Sequence, residues 1–85
     1  MGRALDDIAL RIWLDLVRLG GYYTASSYRY HARHLSYADI AERMRSLADN
    51  GMVRVVRQGT LWAYGVTTKC KAPPGYEHLM TGEPA

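Results

Sequence analysis

Apolar residues recur along this chain at two different periods, and the change of period divides it into parts. From Asp6 to Leu19 the period is helical. Asp7, Arg11, Asp15 and Arg18 form one polar stripe, in which Asp7 with Arg11 and Arg11 with Asp15 are i,i+4 pairs. Acidic residues open this helix, Arg18 lies near its end, and Gly20-Gly21 stops it. Leu5, Ile8, Ala9, Ile12, Leu16 and Leu19 make an apolar side, which Leu10, Trp13, Leu14 and Val17 widen. Packing on one core needs an apolar stripe of only about 100°. This helix is apolar over more, so a second surface is expected to cover it.

The next segment, Tyr22 to Leu35, has a weaker pattern. Thr24 suits a helix cap, and Ala25, Tyr28, Ala32 and Leu35 then share a face opposite Arg29 and Arg33. Ser26-Ser27 and the tyrosines are poor helix formers, so an extended alternative stays open beside a short helix. Ser36 is a good N-cap, with Asp39 three residues on, close to a capping box. Ile40, Met44 and Leu47 then point inward with Ala41 and Ala48 beside them, and Asn50-Gly51 ends the helix.

From Val53 the period falls to two. A two-residue turn at Gln58-Gly59 sets Arg57 opposite Thr60, Val55 opposite Trp62 and Val53 opposite Tyr64. One sheet face then holds Val53, Val55, Trp62, Tyr64 and Val66; the other holds Arg54, Val56, Leu61, Ala63 and Gly65. The larger residues share a face, which predicts that Trp62 and its neighbours pack on Ile40, Met44 and Leu47. Pro73-Pro74-Gly75 breaks structure. The expected organisation is one domain over residues 1–71 and a partly disordered tail over 72–85, with mainly helical α+β character.

Composition narrows the class. A chain of 85 residues makes one domain that buries only about 60–65% of its unfolded surface. An apolar fraction of 48% is that of a globular protein. Phe is absent, so seven Tyr and two Trp carry the aromatic packing. Tyrosine needs a partner for its hydroxyl, so the core is expected to have polar edges. The formal net charge is +3, unevenly spread. Residues 1–28 balance, with Arg3, Arg11 and Arg18 against Asp6, Asp7 and Asp15. Residues 29–71 carry eight cations against Asp39, Glu42 and Asp49, which leaves +5. Residues 72–85 carry Glu77 and Glu83.

A single cysteine, Cys70, excludes an intramolecular disulfide and points to a reducing compartment. No apolar run approaches the roughly 20 residues of a membrane span, and Asp6-Asp7 interrupts any leader pattern. A cytoplasmic location is expected. His31, His34, Cys70 and His78 fit no metal-ligand spacing. No catalytic triad and no phosphate-binding glycine loop is visible. The chain is expected not to be an enzyme, with no metal, no cofactor and no evident small-molecule substrate. Tyr22, Tyr23, Tyr28, Tyr30 and Tyr37 read foremost as a half-buried core edge, and alternatively as a surface on which single-stranded bases stack.

The stretch Leu35–Thr67 resembles the winged helix-turn-helix family of DNA-binding domains. A Leu-x-x-Leu-x-x-x-Gly-like helix end is matched by Met44, Leu47 and Gly51. The apolar pair Met52-Val53 and the return strand Ala63-Tyr64-Gly65-Val66-Thr67 follow. With the first helix included, the resemblance covers roughly residues 5–67 and implies three helices and a two-stranded wing. It implies that the helix from Ser36 reads the major groove of duplex DNA, as in a sequence-specific transcriptional regulator. On that basis Arg43 is the expected base contact, with Ser36 and Tyr37 beside it. Arg57, Gln58 and Thr60 at the wing tip, and Arg29, Arg33 and Arg45, are expected at the backbone. Asp39 and Glu42 near that face oppose phosphate. A protein-interaction or assembly module without DNA binding is the alternative. The surplus apolar face of the first helix (Leu10, Trp13, Leu14 and Val17) predicts a homodimer. The competing expectation is that the tail around Tyr76, Leu79 and Met80 folds back over it.

Overall fold

The structure is a computed structural model and describes residues 6–80; Arg3, Leu5, Glu83 and the last part of the expected tail lie outside them. Three helices are followed by a two-stranded antiparallel hairpin, an α+β fold with the element order and topology expected of a winged helix. Helix α1 spans Asp7–Leu19, α2 spans Ala25–Tyr28 and α3 spans Tyr37–Asp49. A 3-10 turn over Arg29–His31 extends α2, strand β1 is Arg54–Gln58 and β2 is Leu61–Gly65.

Each helix starts on a side-chain cap. Asp6 accepts from the Ala9 amide at 2.7 Å, Thr24 from Ser27 at 3.1 Å and Ser36 from Asp39 at 3.1 Å. Gly20 leaves α1 with φ 74° and Gly21 follows with φ 77°, a double left-handed step that turns the chain toward the hairpin. The Tyr23 amide and carbonyl then pair with those of Tyr64 at 2.9 and 2.8 Å. This single bridge covers part of the outer edge of β2.

The core forms where α1, α2 and α3 meet: Ala9, Ile12, Trp13 and Leu16, then Ala25 and Tyr28, then Ile40, Met44 and Leu47, with Val53 and Ala63 from the hairpin side. Its polar edges are satisfied. The Trp13 indole N–H donates to the Met52 carbonyl at 2.9 Å, tying α1 to the start of the hairpin. The Tyr28 hydroxyl donates to an Asp15 carboxylate oxygen at 2.6 Å, tying α2 to α1. Asp15 is thus a correction to the polar stripe. It is only 7% exposed, and Arg11 and Arg18 reach its other oxygen from the surface at 3.7 and 3.1 Å. Burial, with the hydrogen bond to Asp15, raises the Tyr28 pKa well above the ordinary phenol value.

The hairpin register differs from the expected one. The pairs are Val55 with Tyr64, Arg57 with Trp62 and Gln58 with Leu61, so the turn is Gly59-Thr60 rather than Gln58-Gly59. Only glycines have positive φ among the described residues, and Gly59 has φ 65°. A two-residue turn with glycine first needs no other residue in the left-handed region. The alternative places Gln58 there. A slip of two residues on one strand keeps every side chain on its face, so the two face sets survive.

The face that meets the core is nevertheless the one with the small residues. Ala63 is fully buried and Gly65 is buried. A Cβ at Gly65 would lie 2.5 Å from the Gly21 carbonyl oxygen and 2.8 Å from the Tyr22 ring. The Gly21–Tyr23 segment can therefore approach β2 only over a residue without a side chain. Trp62 and Val55 do not pack on α3; Trp62 is 52% exposed. Val53 does join the core, and Tyr64 and Val66 pack at its margin.

Part of the apolar surplus on α1 is met within the chain. Trp13 is fully buried, which removes it from the expected dimer surface, and the ring of Tyr76 sits edge-on to it at 6.4 Å. The Lys71 amide donates to the Gly51 carbonyl at 2.8 Å, starting a segment that returns along the core. Pro73 is buried, Ala72, Tyr76 and Met80 pack against the core, and Glu77–Leu79 forms a 3-10 turn. Leu10, Leu14 and Val17 remain half-buried. Among the described residues, no helix is long and apolar enough to cross a membrane.

Candidate nucleic-acid interface

A concavity lies at the corner between α2 and the start of α3. It is a cleft of about 470 Å³ lined, among the described residues, by Ser26, Arg29, Tyr30, Arg33 and Tyr37. Local structure explains the grouping. Arg29 and Tyr30 open the 3-10 turn after α2 and Arg33 follows just beyond it, where the chain leaves the helical path at Ala32, and all three line the cleft. Ser36 then caps α3, which projects Tyr37 from its first turn into the same cleft. The Arg29 Nε donates to the Leu35 carbonyl at 3.1 Å, which fixes the side chain across the connection. The Arg33 guanidinium carbon lies 5.9 Å from the centre of the Tyr30 ring. Neither arginine has a carboxylate partner among the described residues. Ser26 and Tyr30 were absent from the DNA contacts that the family resemblance implied. The cue available for Tyr30 was its place between two arginines.

The outer surface of α3 divides into two flanks. Helical spacing places Tyr37, Ala41 and Arg45 on one side and Asp39 and Arg43 on the other, with Ala38 and Glu42 between. Ala38, Asp39, Ala41, Glu42 and Arg45 surround a shallow depression of about 390 Å³. Arg45 is exposed at its rim.

Arg43 behaves differently from the expectation of a free base contact. Its side chain is only 21% exposed and reaches Asp6 at 3.1 Å, Asp39 at 3.2 Å and Glu42 at 3.4 Å. Asp6 is the cap of α1, so Arg43 clamps the start of α1 to α3. The Ala9 amide, with help from Arg43, lowers the Asp6 pKa below the usual carboxylate range. Hydrogen bonding and attraction to Asp6, followed by Asp39 and Glu42, outweigh desolvation and raise the Arg43 pKa. One cation against three carboxylates leaves this flank acidic, and phosphate would avoid it.

The wing holds the third group. Arg57 and Trp62 face each other across the hairpin. The two-residue turn makes theirs a pair without mutual backbone hydrogen bonds, the closer of the two pair types. The Arg57 guanidinium accordingly lies 4.9 Å from the Trp62 ring centre. Gln58 and Thr60 are exposed at the tip, and Leu61 is exposed beside them. Ser36 is exposed, with its oxygen engaged by the Asp39 amide. The structure thus brings Arg29, Arg33 and Tyr37 together, sets Arg45 on the outer face of α3, and diverts Arg43 to α1.

The histidines are not gathered. His31 packs its ring edge-on to Tyr23 at 5.8 Å and tilted to Tyr28 at 6.4 Å. Among the described residues, no cluster of three His, Cys, Asp or Glu side chains has the arrangement of a metal site. No family model, curated protein or solved structure matches this chain. The likeness to winged-helix domains therefore rests on element order and topology.

Proposed function

We propose that this protein binds duplex DNA as a small sequence-specific regulator, with α3 in the major groove. The observation that carries the reading is the placement, on a three-helix-and-hairpin fold, of arginines without a carboxylate partner among the described residues. Arg29 and Arg33 stand at the α2–α3 corner, Arg45 on the outer face of α3 and Arg57 on the wing. The first two, with Ser36, Tyr37 and the wing-tip residues Gln58 and Thr60, hold the phosphate backbone. Arg45 takes the base-reading role first assigned to Arg43, since its fork has no carboxylate partner among the described residues and matches guanine O6 and N7. Ala38 and Ala41 beside it are small enough to let the helix lie deep and to touch thymine methyl groups. Asp39 and Glu42 line the same depression as Arg45, and Arg43 offsets part of their charge. Homodimerisation through Leu10, Leu14 and Val17, without Trp13, would place two such helices on a palindromic site.

Affinity for random duplex DNA should fall linearly with salt on logarithmic axes, with a slope of about −0.9 for each phosphate neutralised. Arg29→Ala and Arg33→Ala should each reduce that slope by about one. Arg45→Ala should cost roughly 1–3 kcal/mol and relax a base position. Arg43→Ala should leave the slope unchanged. Absence of duplex binding at low salt refutes the proposal, and the exposed Leu61 and Trp62 of the wing then favour a protein-interaction module instead.

A further inference from the structure

We infer that the cleft at the α2–α3 corner holds an unpaired nucleotide, its base against Tyr30 and Tyr37 and its phosphate between Arg29 and Arg33. The inference rests on the DNA-binding reading and narrows it to DNA in which a single-stranded segment adjoins the duplex. Three observations carry it. The first is shape: a duplex docks on a protruding helix through its grooves, whereas this site is a hollow of about 470 Å³. A backbone phosphate at its rim would leave most of that volume filled with water.

The second is charge. Two guanidinium groups and the Ser26 hydroxyl line the cleft, and among the described residues no carboxylate does. The site is built for an anion. The third is the aromatic lining. Tyr30 is 73% exposed and Tyr37 48% exposed, so apolar ring surface stands in water beside the cations, with Arg33 over one face of Tyr30. A phosphate alone makes no use of that surface. Bases in a duplex have their faces occupied by their neighbours. An unpaired base offers a free face for stacking and a phosphate one bond system away, which matches both parts of the lining.

A free mononucleotide offers the same chemistry as an unpaired nucleotide in a strand, and the two sources separate experimentally. Fluorescence anisotropy compares one labelled duplex in blunt form and with a short single-stranded overhang, with deoxyadenosine monophosphate as competitor. The overhang should tighten binding about tenfold, the scale of one stacked base. Tyr30→Ala should remove that advantage and leave blunt-duplex affinity unchanged, and Tyr30→Phe should retain it. Competition by the mononucleotide against the overhang assigns the cleft to nucleotides in general; competition failing while the overhang advantage persists assigns it to strand ends. Equal affinity for blunt and overhang DNA overturns the inference and leaves duplex binding intact. An overhang advantage that survives Tyr30→Ala also overturns it. Loss of blunt-duplex binding with the overhang effect retained would instead remove the duplex reading and keep the cleft.

Discussion

Tyr28→Phe isolates the buried link between α1 and α2. The substitution removes one hydroxyl and keeps the ring, so it opens almost no cavity in a core where Tyr28 is fully buried. What it removes is the 2.6 Å hydrogen bond to the second carboxylate oxygen of Asp15, a length typical of a charge-assisted bond. Arg11 and Arg18 both reach the first oxygen, so neither replaces the lost donor without moving. A hydrogen bond to a charged group contributes roughly 1.5–3 kcal/mol. In a domain this small each 1 kcal/mol moves the melting temperature by about 4–8 °C. A loss of roughly 2 kcal/mol therefore predicts a drop of roughly 8–16 °C at neutral pH, read by far-UV circular dichroism. The double variant with Asp15→Asn should lose less than the sum of the two single losses, because the partners share one interaction.

The same link predicts alkaline sensitivity. The folded pKa of Tyr28 is raised above its unfolded value of 10.0, so above that pH the folded state holds a proton that the unfolded state has released. Its contribution is complete below pH 10. It is lost as pH rises through the window up to the folded pKa, at about 1.4 kcal/mol per pH unit. Tyr28→Phe should abolish this component. A variant that melts within about 2 °C of the parent, with an unchanged alkaline limb, would refute the reasoning.

Four further substitutions test how the hairpin meets the core. Gly65→Ala should destabilise the domain by more than the roughly 1–3 kcal/mol of ordinary overpacking, because the new methyl meets the Gly21 carbonyl oxygen at 2.5 Å; a melting temperature equal to the parent's would show that the Gly21–Tyr23 segment does not lie on β2. Trp13→Ala should cost roughly 3–5 kcal/mol, enough to unfold so small a domain, whereas Trp62→Ala should leave it folded. In Trp13→Phe the remaining emission from Trp62 should be solvent-like and readily quenched by iodide; a blue-shifted, protected emission would place Trp62 in the core after all.

Local chemistry was enough for the helices. Asp6, Thr24 and Ser36 satisfy the first amides of their own helices within three residues, and Gly20-Gly21 and Gly51 end helices because they alone accept positive φ without strain. Ile40, Met44 and Leu47 were legible as core because helical spacing puts them on one stripe. Alternation likewise sorted the hairpin residues into two faces. Which face turns inward was beyond reach, since it depends on how closely the Gly21–Tyr23 segment approaches β2. Size pointed to Trp62; the close approach required Ala63 and Gly65.

At the candidate interface the same division holds. Arg29 and Arg33 could be placed on one face by spacing, and the cleft they share with Tyr30 and Tyr37 arises where a 3-10 turn meets a capped helix. The roles of Arg43, Asp15 and Trp13 were decided by residues distant in sequence: Asp6 for the first, Tyr28 for the second, Met52 and Tyr76 for the third. A charged or aromatic side chain on a helix surface has the same local pattern whether it faces water, a partner or another segment of its own chain. Periodicity reports only the direction in which a side chain leaves its helix. What stands in that direction is set by chain closure over many residues, and only the tertiary structure supplies it.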